Sequence, residues 1–341
     1  MQSILFILFF SFLLLTFNYL FKYFNILIDK KELAHKSFAS KSLVPLSGGI
    51  LIATFLLLNS NNYSLIFFFI LIFILGVFSD FSLIVKPLKK FFFQFLIVIT
   101  FLIFSKISIL STKVFFIDFF IQNKIFSILF TCFCLLILIN GTNFLDGVNT
   151  LVCGYYILII LTILYISSSN KINYNFEDFY YLLLVLLVIF SFNFFSKTYL
   201  GDSGSFLLSF LIGYYLINLC NDNLFMTKYI SPIFILLLLW YPAFENLFSI
   251  IRKLLTKKKP SEPDNLHLHH LLFFYLSQIT KKNIVNSLTA IIINFYNFLI
   301  FYISAKFYNK SDILSYIIIT NIIVYIFFYI ILYKKKLVSS L

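Results

Sequence analysis

The fold class is decided by the stretch KIFSILFTCFCLLILINGTNFLDGVNTLVCGYYILIILTILYI, residues 124–166. It contains two apolar runs, 125–140 and 151–167 in our reading, with the polar loop 141–150 between them. Each run approaches the ~20 helical residues that cross a bilayer. The runs are continuous rather than alternating, which excludes a membrane β-barrel. The stretch therefore predicts two membrane-spanning helices joined by a polar loop.

Composition extends this prediction to the whole chain. Of the 341 residues, 61% are hydrophobic and only 11% are charged, which excludes a soluble domain. We predict an all-α polytopic membrane protein that forms one membrane domain over residues 1–341. Its eleven predicted spans are approximately 2–22, 45–59, 65–79, 91–105, 125–140, 151–167, 179–193, 204–220, 230–248, 284–304 and 313–332.

Charge alternates between the loops that join these spans. One set of loops carries 18 lysines and arginines and the other set carries 7. The positive-inside rule places the richer set in the cytoplasm and the N-terminus outside. The net charge of +13 is therefore assigned to cytoplasmic loops, and we expect no nucleic-acid partner. The richer set comprises 23–44, 80–90, 141–150, 194–203, 249–283 and 333–341.

Polar clusters concentrate in this same set of loops, which predicts one composite site at the cytoplasmic face. Asn140, Asn143 and Asp146 follow one another at every third position, so a continuing helix would present them on one face. They can offer amides and a carboxylate to a polar ligand or a cation. The alternative is an ordinary helix end, because Asn, Asp and Gly are common capping residues.

Two further clusters contain an acid beside groups that can bind phosphate. Asp202 in GDSGS can bind a hard cation, and a helix N-terminus favours phosphate, although an N-cap is the equal alternative. Asp80 precedes Lys86, Lys89 and Lys90, a combination that suits a metal with phosphates. Anchoring at lipid headgroups is the alternative for these lysines.

The histidines form the last cluster. Three of the four lie in DNLHLHH, as His267, His269 and His270. Imidazoles can donate to phosphate, transfer protons or bind zinc, and zinc is the weaker interpretation because no second cluster completes a site. The fourth, His35, precedes Lys36 in another predicted cytoplasmic loop. Glu245 lies at membrane depth and needs a partner, for which Arg252, two turns later, is a candidate.

Taken together, five segments in order resemble the polyprenyl-phosphate N-acetylhexosamine-1-phosphate transferase family, glycosyltransferase family 4. The resemblance covers nearly the whole chain, and the His-x-His-His form is more similar to the GlcNAc-1-phosphate branch than to the MurNAc-pentapeptide branch. The segments are HKSFASKSLVPLSGGI, GVFSDFSLIVKPLKKFFFQ, NGTNFLDGVNTL, FNFFSKTYLGDSGSFLL and PDNLHLHHLL.

The resemblance implies transfer of a sugar 1-phosphate from a UDP-sugar to undecaprenyl phosphate, with release of UMP, in a bacterial inner membrane. It implies Mg²⁺, with Mn²⁺ as the alternative ion, held by Asp202 and Asp146. A homodimer is compatible with the sequence. The implied catalytic residues are Asp80, Asp146, Asp202, His267, His269 and His270. The implied substrate-binding residues are His35, Lys36, Lys86, Asn143, Asn149, Asn193, Ser203 and Arg252.

Two residues depart from the family pattern. Ser79 stands where the family usually has an acid adjacent to Asp80, and Asn149 stands where it often has a second Asp. A catalytically weak protein that binds lipid or nucleotide sugar therefore stays open as an alternative. A transporter is the other alternative, although it would place its polar groups near the middle of the membrane rather than at one interface.

Overall fold

The computed structural model describes residues 2–29, 43–60, 62–170, 172, 174–224, 229–259, 262, 264–280 and 282–339. Helices dominate this part of the chain, which confirms the all-α membrane class. In chain order they are α1 (Gln2–Phe24), α2 (Gly48–Asn59), α3 (Tyr63–Asp80), α4 (Pro87–Ser105), α5 (Phe115–Ile121), α6 (Lys124–Leu145), α7 (Leu151–Asn170), α8 (Glu177–Phe194), α9 (Gly201–Asn223), α10 (Pro232–Leu238), α11 (Trp240–Leu255), α12 (Leu268–Ile279), α13 (Lys282–Ala305) and α14 (Ser311–Ser339).

The number of full spans is lower than predicted. Among the described residues, nine helices are long and apolar enough to cross a membrane, and the α10–α11 pair, bent by 71°, makes a tenth if it is one span. The predicted span 45–59 is instead the 12-residue helix α2. At 1.5 Å per residue α2 extends about 18 Å, short of the ~30 Å hydrocarbon core. Its apolar sequence reflects burial against α8 and α9 rather than a full crossing.

Helix α9 lies at the centre of the bundle. It is buried along nearly its whole length and packs against α2, α3 and α6. Small residues permit these close contacts, as is common between membrane helices. A Cβ atom on Gly49 would lie 2.6 Å from the Gly204 nitrogen, and one on Gly76 would overlap the backbone of Ser203. The start of α9 is therefore fixed from two sides by α2 and α3.

The break between α10 and α11 is compensated by a side chain of α7. The Tyr155 hydroxyl donates to the carbonyl oxygen of Leu238 at 2.8 Å, where the helix is interrupted. Broken helices are tolerated in membranes when their backbone groups find such partners. Beyond the break, α11 packs closely on α6, with Gly141 directly against the backbone of Pro242. This contact places the polar C-terminal end of α6 beside α11.

A two-stranded antiparallel pair closes one end of the bundle. Strand β1 (Ile28–Asp29) pairs with β2 (Val44–Pro45). The loop before α9 joins this pair, because the Tyr199 amide donates to the Pro45 carbonyl at 2.9 Å. A buried hydrogen-bonded cluster of Asn18, Ser47 and Thr198 ties the same loop to α1. These contacts bring residues 28–29 and 44–47 beside the start of α9.

Candidate active site

The polar helix ends meet at one end of the bundle, as the composite-site prediction requires. Asp80, at the end of α3, contacts the start of α9, while the amide of Thr150, before α7, donates to Asn193 of α8. The segment 141–150, which comprises the last turn of α6 and the loop after it, is called the DG loop below, and its Gly147 contacts the His segment, residues 264–270. We call this end of the bundle, which carries residues 80, 141–150, 193–202 and 264–270, the motif face.

Asp80 caps the N-terminus of α9. Its two carboxylate oxygens accept hydrogen bonds from the backbone amides of Asp202, at 2.8 Å, and Ser203, at 3.0 Å. A carboxylate at this position also interacts favourably with the helix dipole. Gly201 has φ +74°, and any Cβ there would lie 2.8 Å from Asp80 Oδ2, so glycine is required. These contacts make Asp80 a residue that positions Asp202, and its predicted catalytic role stays a prediction.

Asp202 accepts hydrogen bonds from two neighbouring helices. The Ser79 hydroxyl of α3 and the Lys90 ammonium of α4, the latter at 3.0 Å, both donate to Asp202 Oδ2. The lysine and aspartate side chains are 24% and 12% exposed, so this ion pair is only partly screened by solvent. The predicted metal aspartate is thus held between a serine and a cation at the motif face.

The DG loop and Asn140, which precedes it, are held by contacts to α4, α9 and α13 and to the loop residue Ser196. Asn143 Oδ1 accepts from the Ser205 hydroxyl of α9 at 3.1 Å, and Asn140 donates to Gln94 of α4 at 2.9 Å. The Asn149 side chain donates to Ser196 Oγ at 2.7 Å, while its amide donates to Asn286 of α13 at 2.9 Å. The asparagines at every third position therefore do not form one polar face open to a ligand. Most of their side-chain amides bond to other parts of the protein and so fix the DG loop in place.

A polar cleft lies between the DG loop and the loop that precedes α9. Asp146 and Asp29 supply carboxylates, and Tyr199 supplies a phenol whose pKa is raised to about 12 by burial and by the Asp29 carboxylate. The cleft reaches Gly201, next to Asp202. Oxygen groups from three separate segments thereby line one cleft. Its lining residues are Asp29, Leu46, Asp146, Gly147, Val148, Asn149, Asn193, Tyr199 and Gly201.

The His segment closes over the DG loop. A Cβ on Gly147 would lie 3.1 Å from His270 Nε2 and 3.7 Å from His269 Nε2, so glycine permits this approach. The three imidazoles are in mutual contact, with ring centroids 4.2 to 5.5 Å apart. Burial, followed by the neighbouring His270 and His267, lowers the pKa of His269 well below its ordinary value. His269 is therefore neutral at pH 7, and a neutral imidazole can donate through only one of its ring nitrogens.

The predicted substrate-binding residues have different surroundings. His35 and Lys36 lie outside the described residues, and Lys86 is exposed at the start of α4. Three others are engaged by the protein, which does not favour direct substrate contact. Ser203 packs between Gly49 and Gly76, Asn193 bridges Thr150 and Thr198, and Arg252 donates to Asp264, Leu266, Tyr329 and Ser249.

Three residues at or beside the motif face are missing from the site residues that the family resemblance implied. Lys90, rather than Lys86, reaches Asp202, and Asp29 and Tyr199 line the cleft. A signal for Lys90 existed: it lies four residues before Gln94, a polar residue within an apolar helix, and i, i+4 positions share a face. No comparable signal marked Asp29 or Tyr199, because their approach depends on how two loops fold.

Fold and site together define a multi-pass membrane protein that gathers carboxylates, a lysine and three imidazoles at one face. The sequence model of glycosyl transferase family 4 matches residues 62–220, and this segment belongs to that family. It extends from just before α3 into α9 and includes Asp80, Asp146 and Asp202, while the His segment lies beyond it. The family that the motifs predicted is thereby confirmed.

Curated relatives agree with this family. The decaprenyl-phosphate N-acetylglucosaminephosphotransferase of Mycolicibacterium smegmatis is 26% identical over 45% of this chain and 42% of its own length. The probable undecaprenyl-phosphate N-acetylglucosaminyl 1-phosphate transferase of Bacillus subtilis is 31% identical over 40% of this chain and 37% of its own length. The undecaprenyl-phosphate alpha-N-acetylglucosaminyl 1-phosphate transferase of Thermotoga maritima is 28% identical, over 39% of each chain. The chain thus spans about two fifths of the length of these relatives.

Proposed function

We propose that this protein transfers an N-acetylhexosamine 1-phosphate from a UDP-sugar to undecaprenyl phosphate and releases UMP. One observation carries the proposal. The Asp80–Asp202 pair, the DG loop and the His segment converge on one face of a membrane bundle, and the chain resembles transferases named for polyprenyl phosphate and N-acetylglucosamine. We propose GlcNAc or a closely related N-acetylhexosamine as the sugar.

The charges at the motif face suit two phosphate substrates. Both substrates are anionic and repel one another, so catalysis requires positive charge and exact positioning. Lys90 supplies an ammonium group beside Asp202, and Lys86 and Lys89 are exposed on the same short stretch. Because the lipid phosphate is already an oxyanion, no strong general base is needed to generate the nucleophile. The reaction therefore does not require Asp80 as a general base, and Asp80 can serve as the cap of α9 alone.

We propose Mg²⁺ as the metal, with Mn²⁺ as the alternative. The donor set fits a hard cation, because Asp146 and Asp29 present carboxylates in the cleft that reaches Gly201, next to Asp202. In the described part of the chain no three His, Cys, Asp or Glu side chains form a metal cluster by themselves. Mg²⁺ commonly takes one or two carboxylates and completes its shell with water and substrate phosphates. Asp202 and Asp146 would hold the ion, which would neutralise charge on the pyrophosphate.

We further propose that the motif face is cytoplasmic in a bacterial inner membrane. The loops at this face belong to the set with 18 rather than 7 basic residues, and such loops stay inside. UDP-sugars are cytoplasmic metabolites of the donor class that the proposal requires. The lipid phosphate would reach the same face from the inner leaflet.

The test uses purified protein, undecaprenyl phosphate, Mg²⁺ and a panel of UDP-sugars. We expect UMP release with UDP-GlcNAc or a related UDP-N-acetylhexosamine, and only when the lipid phosphate is present. Preferential use of UDP-MurNAc-pentapeptide over every simple UDP-sugar would contradict the donor assignment. A second candidate, binding without turnover, follows from Ser79 in place of an acid. It predicts retention of UDP-sugar or lipid by the protein with no UMP at any donor.

A further inference from the structure

Glu245 is a buried acid that the proposed reaction does not use. It lies on α11 and its side chain is fully buried. One carboxylate oxygen, Oε1, faces His267 Nδ1 at 2.9 Å and accepts from the Leu268 amide at 3.3 Å. The other, Oε2, accepts from the Tyr325 hydroxyl of α14 at 2.7 Å. The partner of Glu245 is therefore His267, and not Arg252 as the sequence suggested.

This geometry fixes the proton on His267. Three hydrogen-bonding groups converge on two carboxylate oxygens, which is the environment that a buried ionised carboxylate requires. An ionised carboxylate only accepts, so His267 Nδ1 carries the proton and donates it. Carboxylate–histidine pairs of this kind set the tautomer and the ring orientation of functional histidines.

The other side of His267 is also held by the protein. His267 Nε2 lies 3.6 Å from Asp264 Oδ1. Asp264 in turn accepts two hydrogen bonds from Arg252, at 2.7 and 2.9 Å, and Arg252 also donates to the Leu266 carbonyl. Burial alone would raise the pKa of Asp264, but Arg252 and His267 lower it below its ordinary value. Both ring nitrogens of His267 thus face carboxylates.

The three histidines consequently have different surroundings. His267 faces Glu245 and Asp264, whereas His269 and His270 face Gly147 of the DG loop. His267 is also the residue just before α12, and Glu245 holds both it and the first amide of that helix. Any movement of His267 would therefore move the following two histidines.

We propose that Glu245 is a positioning residue, which through His267 holds His269 and His270 against the DG loop. The effect of Glu245 on the reaction rate rests on the proposed transferase function. Its effect on His267 rests on the contacts alone. Tyr325 restrains the Glu245 carboxylate from α14, so the positions of the histidines also depend on that helix.

The test compares Glu245→Gln with the matched control Glu177→Gln, the same change at an exposed acid in the first turn of α8. Glutamine keeps the size and can still bond to Leu268 and Tyr325, so a purely structural role survives the change. Chains labelled with ¹⁵N-histidine contain four imidazoles. We expect one strongly downfield Nδ1 proton in the wild type, assigned by its loss in His267→Asn. It should shift upfield in Glu245→Gln and stay in place in the control.

The kinetic arm measures UMP release at saturating UDP-sugar and lipid phosphate. Loss of a positioning carboxylate typically costs ~10–100-fold, so we expect kcat to fall by that factor in Glu245→Gln with little change in KM. Tyr325→Phe, which leaves Glu245 in place, should shift the same signal less and lower kcat less. If Glu245→Gln does not fold, Tyr325→Phe carries the test.

Either of two results overturns the proposal: an unshifted His267 signal in Glu245→Gln, or a kcat within about twofold of the control. If Glu245→Gln does not fold, an unchanged signal or unchanged kcat in Tyr325→Phe overturns it. If the wild type itself releases no UMP, the proposed function fails, and the ¹⁵N spectra alone then decide whether Glu245 holds His267.

Discussion

Asp202 carries the charge on which the proposed chemistry depends. Its position is set by three residues from two other helices: Asp80 caps the turn that presents it, and Ser79 and Lys90 bond to its carboxylate. Lys90 compensates the negative charge in a partly buried setting, where ion pairs are screened less than at the surface. At the scale of single residues, the site is a carboxylate held ready between a cation and a neutral donor.

Replacement of Asp202 by asparagine tests its role as a metal ligand. Asparagine can still accept hydrogen bonds from Ser79 and Lys90 but lacks the charge that attracts a hard cation. We expect Asp202→Asn to lose most of its Mg²⁺-dependent UMP release while the thermal unfolding midpoint changes little. Asp312→Asn, at an exposed acid in the first turn of α14, is the control. A folded Asp202→Asn variant with a near-normal rate would mean that the ion is held elsewhere.

Changes at Ser79 show whether the site is adapted to a neutral residue. Ser79→Ala removes one donor to a charged acceptor, a contribution of ~1.5–3 kcal/mol, and leaves the Lys90 pair intact. Ser79→Asp instead brings a second carboxylate against Asp202, and like charges in close contact cannot both ionise without cost. We expect turnover to fall more in Ser79→Asp than in Ser79→Ala. A large gain of UMP release in Ser79→Asp would show that the natural chain is an impaired enzyme.

His269 predicts how stability depends on pH. Its pKa in the folded protein lies well below the ordinary value of 6.5, so the unfolded chain binds the proton more readily. The stability that neutral His269 contributes is therefore present above about pH 6.5 and is lost as pH falls below it. We expect the unfolding midpoint of the wild type to drop from pH 7.5 to pH 5.5 more than that of His269→Gln. Equal drops in the two proteins would remove His269 as the cause.

Sequence patterns identified the acids and histidines of the site, but not which of them line the cleft and which hold neighbouring residues. The motif residues Asp80, Asp146 and Asp202 all lie at the motif face. Contacts between loops, however, decide which polar group points into a cleft and which one bonds to its neighbours. That Arg252 holds Asp264, and that Glu245 binds His267, depends on the angle at which α11 meets the His segment. Residue spacing contains no information about that angle.

At the scale of elements, close helix contacts around α9 fix the site. Two helices, α2 and α3, approach its first turns through Gly49 and Gly76, so the cap and its partners are held by rigid backbone rather than by flexible loops. The prediction of eleven spans, more than the described part of the chain has, rested on hydropathy alone. Hydropathy detects apolar segments but cannot tell a full crossing from the short buried helix α2, or a straight span from the bent α10–α11 pair.

A single added methyl group tests this packing. Gly76→Ala places a Cβ into the backbone of Ser203, which cannot move without separating α3 from α9. Overpacking of this kind costs typically ~1–3 kcal/mol, so we expect a lower unfolding midpoint. In the control, Gly213→Ala, the new Cβ meets only the side-chain ends of Leu135 and Leu138, which can rotate away. Equal stability of the two variants would contradict the proposed role of the α3–α9 contact.

At the scale of the whole molecule, the two sets of loops differ in their number of basic residues. The motif face lies among the loops richest in lysine and arginine, and we therefore expect it to be cytoplasmic. Single cysteines at the exposed positions Lys89→Cys and Lys258→Cys should be labelled by an impermeant reagent only after the cells are opened. Lys124→Cys and Lys310→Cys, also exposed, should be labelled in intact spheroplasts. Labelling of Lys89→Cys from outside would break the topology on which the single site depends.

The fate of the β-phosphate of the donor tests the central claim most directly. Purified protein in detergent is given undecaprenyl phosphate, Mg²⁺ and UDP-GlcNAc labelled with ³²P in its β-phosphate. Sugar-1-phosphate transfer carries the label to the lipid with the sugar and releases unlabelled UMP. We predict that the label moves to the lipid fraction in the wild type, in step with UMP, and much less in Asp202→Asn. Label that stays in UDP while the sugar moves, or that stays in intact UDP-GlcNAc despite a folded protein, would contradict the account.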